Sequence, residues 1–313
     1  MNKNSKTIIF GSSGLLGSAI HRGLGSQGYN NILLPSSSEV NLLDKNSLNS
    51  YVKKTKPKYM FMVAGLVGGI VGNNSRPADF LYANSMMILN VLDALKNNSP
   101  LTKLLYTGST CIYPKENPQP INENRFMCGP LEKTNEGYAV AKGLGVVACQ
   151  SYRRQYELDA ICAMPTNLYG LNDNYDLEGG HMIPSLIKKF LMAKNNDSAI
   201  TLWGSGTPRR EALFSDDCAD ALIHLMKNYS DEKIVNIGTG FDYSIKDFEE
   251  ILSNKLNFKP EIHWDSSKPD GTFEKRTDIT RLKNIYPEFN PRSFKEGLSV
   301  LLDSKKELEK ILK

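Results

Sequence analysis

Gly11-Ser12-Ser13-Gly14-Leu15-Leu16-Gly17 is the stretch whose reading decides the fold. It follows the apolar run Thr7-Ile8-Ile9-Phe10 and opens a segment with apolar residues at helical spacing, Leu15, Leu16, Ala19, Ile20 and Leu24. A strand, a glycine turn and a helix start in that order can cradle a pyrophosphate. Glycines let backbone amides approach the ligand, and the helix end adds partial positive charge. A glycine triplet alone could equally be a tight structural turn. Its position at the first strand-helix junction favours a dinucleotide site, with residues 11–17 as its contacts.

Working outward, strands and helices alternate. Residues 31–34, 59–64, 103–107, 160–164 and 234–238 read as strands, and 86–95, 138–152 and 183–193 as helices. Such alternation predicts a Rossmann-type, doubly wound parallel sheet covered by helices on both faces, in the α/β class. After Tyr169 the character changes to a polar loop, 170–180, and then to a smaller C-terminal α/β substrate lobe with mostly helical and polar sequence beyond the last strand. The expected division is a dinucleotide-binding domain over 1–170, rejoined by 215–240, and a lobe formed by 171–214 and 241–313. At 313 residues the chain is long enough for two such units.

Composition narrows the function classes. Apolar residues make up 40% and charged residues 23%, as in globular proteins. The net charge of +4 suits a phosphate-bearing small ligand, or simply a mixed solvated surface, and gives no reason to expect nucleic acid. Cys111, Cys128, Cys149, Cys162 and Cys218 are scattered, without a paired spacing or metal pattern, which reads as free thiols in a reducing compartment and no metal. Residues 1–6 show no leader pattern and no apolar run has membrane length, so the expected setting is the cytoplasm, away from membranes.

Tyr138-Ala-Val-Ala-Lys142 places a phenol and an ammonium four residues apart, on one helix face, with Ser109 upstream at the end of the fourth strand. A free phenol has a pKa of about 10. A neighbouring ammonium is expected to lower it and so make a usable acid/base, while the serine hydroxyl can bond the same substrate carbonyl oxygen. A Tyr/Lys pair is common on ordinary helices; the glycine turn and Ser109 together give this one a chemical reading. The second strand ends Leu34-Pro35-Ser36-Ser37-Ser38, with no acid until Glu39. An acid there would hold ribose hydroxyls and repel a 2′-phosphate, so its absence leans toward NADP.

These motifs resemble the GDP-L-fucose synthase family, within the extended short-chain dehydrogenases/reductases. The resemblance runs nearly end to end, through Asn41-Leu-Leu-Asp44, Val67-Gly-Gly-Ile-Val71, Pro77-Ala-Asp-Phe80, Cys111-Ile-Tyr-Pro-Lys115, Met164-Pro-Thr-Asn-Leu-Tyr-Gly170, Trp203-Gly-Ser-Gly-Thr-Pro208 and Ser267-Lys-Pro-Asp-Gly-Thr272. It implies NADPH-dependent reduction of the C4 ketone of a GDP-linked 4-keto sugar, with Ser109, Tyr138 and Lys142 as the reductase triad. It further implies that Cys111 and His181 move protons at C3 and C5, and that two subunits pair through the helices at 86–95 and 140–152. Cofactor contacts would extend to Ser37, Asn41, Leu42, Thr107, Gly108, Lys142, Pro165, Asn167, Leu168 and His181. Lys189, Trp203, Arg210 and Asp270 would bind the nucleotide sugar. From the residues alone, Cys111 could instead be a small buried apolar residue and His181 a loop contact to cofactor or phosphate.

Thr110-Cys111 stands where related dehydratases carry an Asp-Glu pair, which argues against dehydration. A C4 epimerase retaining NAD would want the missing acid after the second strand, and a non-catalytic dinucleotide sensor would not need the Tyr/Lys pair. The chain departs from the family at Ser13 and Ser37, where relatives carry arginines, at Leu66 for a lysine, at Ala212-Leu-Phe214 after Glu211, and in the 171–178 loop. If those changes border the sugar pocket, the alternative is a C4 reductase without epimerisation, acting on a GDP-4-keto-heptose for surface polysaccharide synthesis.

Overall fold

The computed structural model describes residues 1–177, 180–267 and 270–312. Ten elements run from the N-terminus to the end of the first sheet passage: β1 (Thr7–Phe10), α1 (Leu15–Ser26), β2 (Ile32–Leu33), α2 (Lys45–Thr55), β3 (Tyr59–Met62), α3 (Ile70–Ser75), α4 (Pro77–Asn98), β4 (Lys103–Thr107), α5 (Glu136–Tyr156) and β5 (Ala160–Pro165). The chain continues with β6 (Leu168–Tyr169), α6 (Met182–Asn196), β7 (Ile200–Trp203), β8 (Arg209–Glu211), β9 (Leu213–Phe214), α7 (Ser215–Asn228) and β10 (Val235–Ile237). Last come β11 (Asp242–Ser244), α8 (Ile245–Leu256), β12 (Ile262–Asp265), β13 (Glu274–Lys275), α9 (Thr280–Ile285), α10 (Phe294–Leu302) and α11 (Lys305–Leu312).

Six strands form one parallel sheet in the order β10-β5-β4-β3-β1-β2. Alternating side chains feed two cores. Ile8, Phe10, Met60, Met62, Leu104 and Tyr106 face α4 and α5, while Ile9, Phe61 and Leu105 face α1 and α7. Burial on both faces explains why these strands are apolar at every position rather than at every second one. The order reverses between β1 and β3, and a crevice opens beyond the carboxyl ends of the strands at such a reversal.

α7 packs on α1, and β10 adds to the edge of β5, so the chain returns to the main sheet after passing through the smaller unit. That unit has its own core of Phe190, Phe214, Phe248, Phe294, Leu298 and Ile311. Its strands are short: β8 lies between antiparallel β11 and parallel β13, and β7 pairs with β12. They lack the continuous apolar runs of the main sheet, which is why this part reads in sequence as helix and loop. The helix α2 also escaped the sequence reading, because its mean hydropathy is low; Asp44 caps it by accepting from Asn46 N at 2.9 Å and Ser47 N at 3.2 Å. Among the described residues no helix is long and apolar enough to cross a membrane.

Candidate active site

The three glycines of the first turn do different work. Gly11 has φ +88°, and a Cβ there would sit 2.7 Å from Ala64 N. A Cβ on Gly17 would run into the Gly11 carbonyl oxygen, so this glycine lets α1 pack onto its own turn. Gly14 is different: a Cβ there would meet only Gly11 O, at an ordinary 3.5 Å. It N-caps α1 in extended backbone, with no side-chain cap and no acid in the first turn. The open surface at Gly14 and the positive helix end fit a pyrophosphate.

The remaining residues assigned to the cofactor follow the carboxyl edge of the sheet. Thr107 ends β4 and Gly108 follows, its N donating to Ala163 O at 2.9 Å; Pro165 ends β5, and Leu168 begins β6. Asn167 Nδ2 donates to Glu211 O at 3.1 Å. Asn41 folds its own turn, accepting from Leu43 N, and Leu42 is buried with its carbonyl held by Asn90 Nδ2 at 2.9 Å. Beyond β2, Ser36 Oγ and Ser38 Oγ lie 2.9 Å apart and Ser37 is exposed.

Ser109, Cys111, Tyr138 and Lys142 form one cluster beside this edge. Ser109 caps the 3-10 turn Thr110–Ile112, accepting from Cys111 N at 3.3 Å. Its hydroxyl lies close enough to the Tyr138 phenol and the Cys111 thiol to favour the ionised form of each. Lys142 Nζ donates to Thr107 O at 2.9 Å and stands 5.7 Å from the Tyr138 ring centre. Tyr138 in turn meets Phe80 edge-on, with centroids 6.4 Å apart.

Electrostatics here differ from the sequence expectation. Burial pushes the Tyr138 phenol well up, Cys111 adds to the rise, and the Ser109 bond only partly opposes it. Burial also pulls the Lys142 ammonium down to about 8. Both groups lose hydration together, which favours the neutral form of each. The Cys111 thiol is likewise raised by burial, against Lys275, Ser109 and Lys142.

Lys275 was not foreseen. In sequence it looks like part of a surface charge run, Glu274-Lys275-Arg276. Strand register alone reveals it: β13 pairs with β8 so that Lys275 lies opposite Arg210. Burial lowers both cations, with Cys111 opposing the effect on Lys275 and Asp270 opposing it on Arg210. A line of charge thus runs from the cluster of Ser109, Cys111, Tyr138 and Lys142 through Lys275 and Arg210 to Asp270. Asp270 also accepts from Ser205 N at 2.7 Å and Ser205 Oγ at 2.9 Å.

Other assigned residues lie around this line. His181 is the N-cap of α6, solvent-accessible yet walled by protein, and loss of hydration lowers its pKa. Lys189 Nζ donates to Thr201 O at 2.9 Å. Trp203 ends β7, paired in register with Asp265, and is 54% exposed. Glu178, Gly179, Lys268 and Pro269, which belong to two of the sequence runs noted above, lie outside the described residues.

The expectation that Ala212 and Phe214 border the sugar pocket fails. They are 1% and 0% exposed and belong to the core of the smaller unit, where Phe214 packs on Tyr169 with ring centroids 5.4 Å apart. Their neighbour Glu211 is a buried hub. It accepts from Thr239 N at 2.5 Å, Gly240 N at 2.7 Å, Thr277 N at 2.9 Å and Thr277 Oγ1 at 2.7 Å, tying β8 to the two segments beside it. Among the described residues no group of three or more His, Cys, Asp or Glu side chains is arranged to hold a metal ion.

The model of the NAD dependent epimerase/dehydratase family matches residues 7–238. The chain is 44% identical to the putative GDP-L-fucose synthase 2 of Arabidopsis thaliana, over 96% of this chain and 91% of that one. Its structure is similar to a GDP-6-OMe-4-keto-L-xylo-heptose reductase of Campylobacter jejuni, with TM-score 0.91 and 29% identity, covering 97% and 98% of the two chains. It is also similar to a GDP-D-glycero-L-gluco-heptose synthase of the same organism, solved in the presence of NADPH, with TM-score 0.90, 28% identity and coverage of 97% and 98%.

Proposed function

The chain belongs to the NAD dependent epimerase/dehydratase family and, within it, to the GDP-L-fucose synthases; from that premise we propose that it reduces the C4 ketone of a GDP-linked 4-keto sugar with NADPH. One observation carries the reading: Ser109, Tyr138 and Lys142 meet in one cluster with Cys111, whose thiol feels the charge of Lys275. The helix start at Gly14 would hold the pyrophosphate of NADPH, which would supply the hydride for C4.

Reduction needs a proton for the developing alkoxide. Tyr138, raised by burial, stays protonated at neutral pH and so is a donor in the direction of reduction. Ser109 bonds the same oxygen, and Lys142 provides positive charge behind the phenol. Arg210 and Lys275 face the anionic end of the substrate, with Asp270 positioning Arg210, while Lys189 and Trp203 complete the nucleotide-sugar contacts. Residues 1–170 and 215–240 would form the cofactor unit, supported by α7 and β10 joining the main sheet, and 171–214 with 241–313 the substrate unit.

Cys111 and His181 are the groups for C3/C5 epimerisation. A ketone at C4 acidifies the flanking C–H bonds, so one group removes a proton and the other returns it on the opposite face. A second reading, C4 reduction alone on a GDP-4-keto-heptose, is favoured by the likeness to the two heptose enzymes at TM-scores of 0.91 and 0.90. We further infer a cytoplasmic homodimer. Leu81 and Tyr82 of α4 and Val140 and Val147 of α5 are exposed apolar side chains on two helices that pack together, a surface a second copy can cover.

Incubation in D₂O with GDP-4-keto-6-deoxymannose or a GDP-4-keto-heptose, then NADPH, tests the proposal. Oxidation of NADPH with deuterium at C3 and C5, lost in Cys111→Ser, is the outcome for an epimerase/reductase. Reduced product unlabelled at C3 and C5 is the outcome for a C4 reductase. Absence of NADPH oxidation with either sugar would revive the non-catalytic sensor.

A further inference from the structure

We propose that Glu307, on the C-terminal helix α11, is a positioning residue for His181, clasping the loop that leads into α6. The proposal deepens the epimerisation reading, and rests on it for the proton transfer that His181 would perform. Glu307 is 3% exposed, although it follows Lys305 and Lys306 in a charged run of the kind that normally stays in water. Its Oε1 accepts from Asn172 N at 2.9 Å. Lys310 Nζ, 3.8 Å from the same oxygen, donates to Asp173 O at 2.6 Å and stands 5.6 Å from the Tyr175 ring centre. α11 thus grips Asn172, Asp173 and Tyr175 at once. The helix itself is fixed by Ile311 and Leu308 in the core of the smaller unit and by packing on α6 and α10.

The loop needs a hold from outside. Gly170 has φ +149° and Asn172 φ +67°, so the backbone reverses just beyond β6, where no strand pairs with it. Asparagine tolerates left-handed backbone, but such a conformation persists only where its surroundings fix it. A bond from its N–H to a buried carboxylate is charge-assisted and among the stronger ones available.

From Asn172 the hold passes along the loop to His181. Tyr175 OH donates to Gly170 O at 3.0 Å and closes the reversal. Asn174 N donates to Asp173 Oδ1 at 2.7 Å, and Asp176 N to Asn174 Oδ1 at 3.1 Å. Gly180 N then donates to Asp176 O at 2.9 Å, and a Cβ on Gly180 would meet Asn174 O at 3.1 Å. Gly180 directly precedes His181, the N-cap of α6, so the place of the imidazole follows from the clasped loop. Proton transfer needs that ring within reach of one C–H bond, and a shift of about 1 Å can cost on the order of 10²-fold.

Two variants and one measurement on the unaltered protein test this. Glu307→Ala removes the acceptor while Ile311 still anchors α11. Glu307→Gln keeps an oxygen that can accept from Asn172 N. With GDP-4-keto-6-deoxymannose in D₂O, before NADPH is added, Glu307→Ala is expected to slow deuterium entry at C3 and C5 by roughly 10- to 100-fold. Glu307→Gln should recover most of that loss. NMR of labelled histidine reads the position of His181 without turnover. Burial lowers the His181 pKa, so in Glu307→Ala it should rise toward the ordinary value, and in Glu307→Gln return toward that of the unaltered protein. In the unaltered protein the Asn172 amide should exchange its hydrogen slowly. Undiminished deuterium entry in Glu307→Ala, no recovery in Glu307→Gln, an unmoved His181 titration in Glu307→Ala, or fast exchange at Asn172 would each overturn the proposal. An unaltered protein without deuterium entry, whose His181 titration still moves in Glu307→Ala and returns in Glu307→Gln, would sink the epimerisation reading and leave the clasp standing.

Discussion

The Lys142 ammonium lies 5.7 Å from the centre of the Tyr138 ring, one helical turn along α5. The two groups are buried together, and burial moves them in opposite directions, the phenol up and the ammonium down. A phenol so placed is a proton reservoir, and an ammonium near 8 is charged at neutral pH but not far from losing its proton.

Tyr138→Phe removes only the proton donor. Turnover with a GDP-4-keto sugar is expected to fall at least 10²-fold, with NADPH affinity nearly intact. Steady-state kinetics alongside a fluorescence titration of NADPH checks both halves; most of the wild-type turnover remaining would take Tyr138 out of the mechanism.

Lys142 sets an alkaline limb. As pH rises through about 8 the ammonium is lost, so kcat should decline there. Because the folded-state pKa lies below the unfolded value, the charged lysine weakens the fold fully below about 8, and the penalty fades as pH rises toward the unfolded pKa. Lys142→Met is thus expected to be inactive but to gain Tm at pH 7, and to gain less at pH 9.5. Thermal melts at the two pH values decide it.

The glycine turn separates binding from folding. Gly14→Ala meets only an ordinary contact, so Tm should stay within about 2 °C while the KM for NADPH rises at least about tenfold. Gly17→Ala collides with the Gly11 carbonyl and should lower Tm as well. Equal effects of the two substitutions on Tm would contradict the division of roles.

Cofactor discrimination should be weaker than in a protein with arginines beside the turn. Ser13 and Ser37 offer hydroxyls in place of cations, and Ser37 is exposed. NADPH is still expected to beat NADH in kcat/KM, and Ser37→Arg should widen the ratio by about tenfold or more, chiefly through the KM for NADPH. A clear preference for NADH in the unaltered protein would overturn this.

Glu211→Gln replaces one acceptor oxygen with a donor facing N–H groups. The loss is expected to be about 2–3 kcal/mol, or about 5–8 °C in Tm, since the buried hub that joins β8 to Thr239, Gly240 and Thr277 is broken. Differential scanning calorimetry measures it directly. Arg210 sits next to Glu211 on β8, so the KM for the nucleotide sugar should rise too.

Much was legible in the sequence because it is local. The glycine turn, the continuous apolar strands and the Tyr138/Lys142 spacing each depend on neighbours within a few residues, and periods of two or of three to four residues survive in the chain itself. The parallel sheet follows from the alternation of strands and helices. Tertiary structure alone decided the rest, since it depends on which distant segments meet. Register between β13 and β8 puts Lys275 beside Arg210; burial raises the Tyr138 phenol; and Ala212 and Phe214 are core residues rather than pocket walls. Desolvation and cross-strand pairing are sums over many partners far apart in sequence, so no window of the chain contains them.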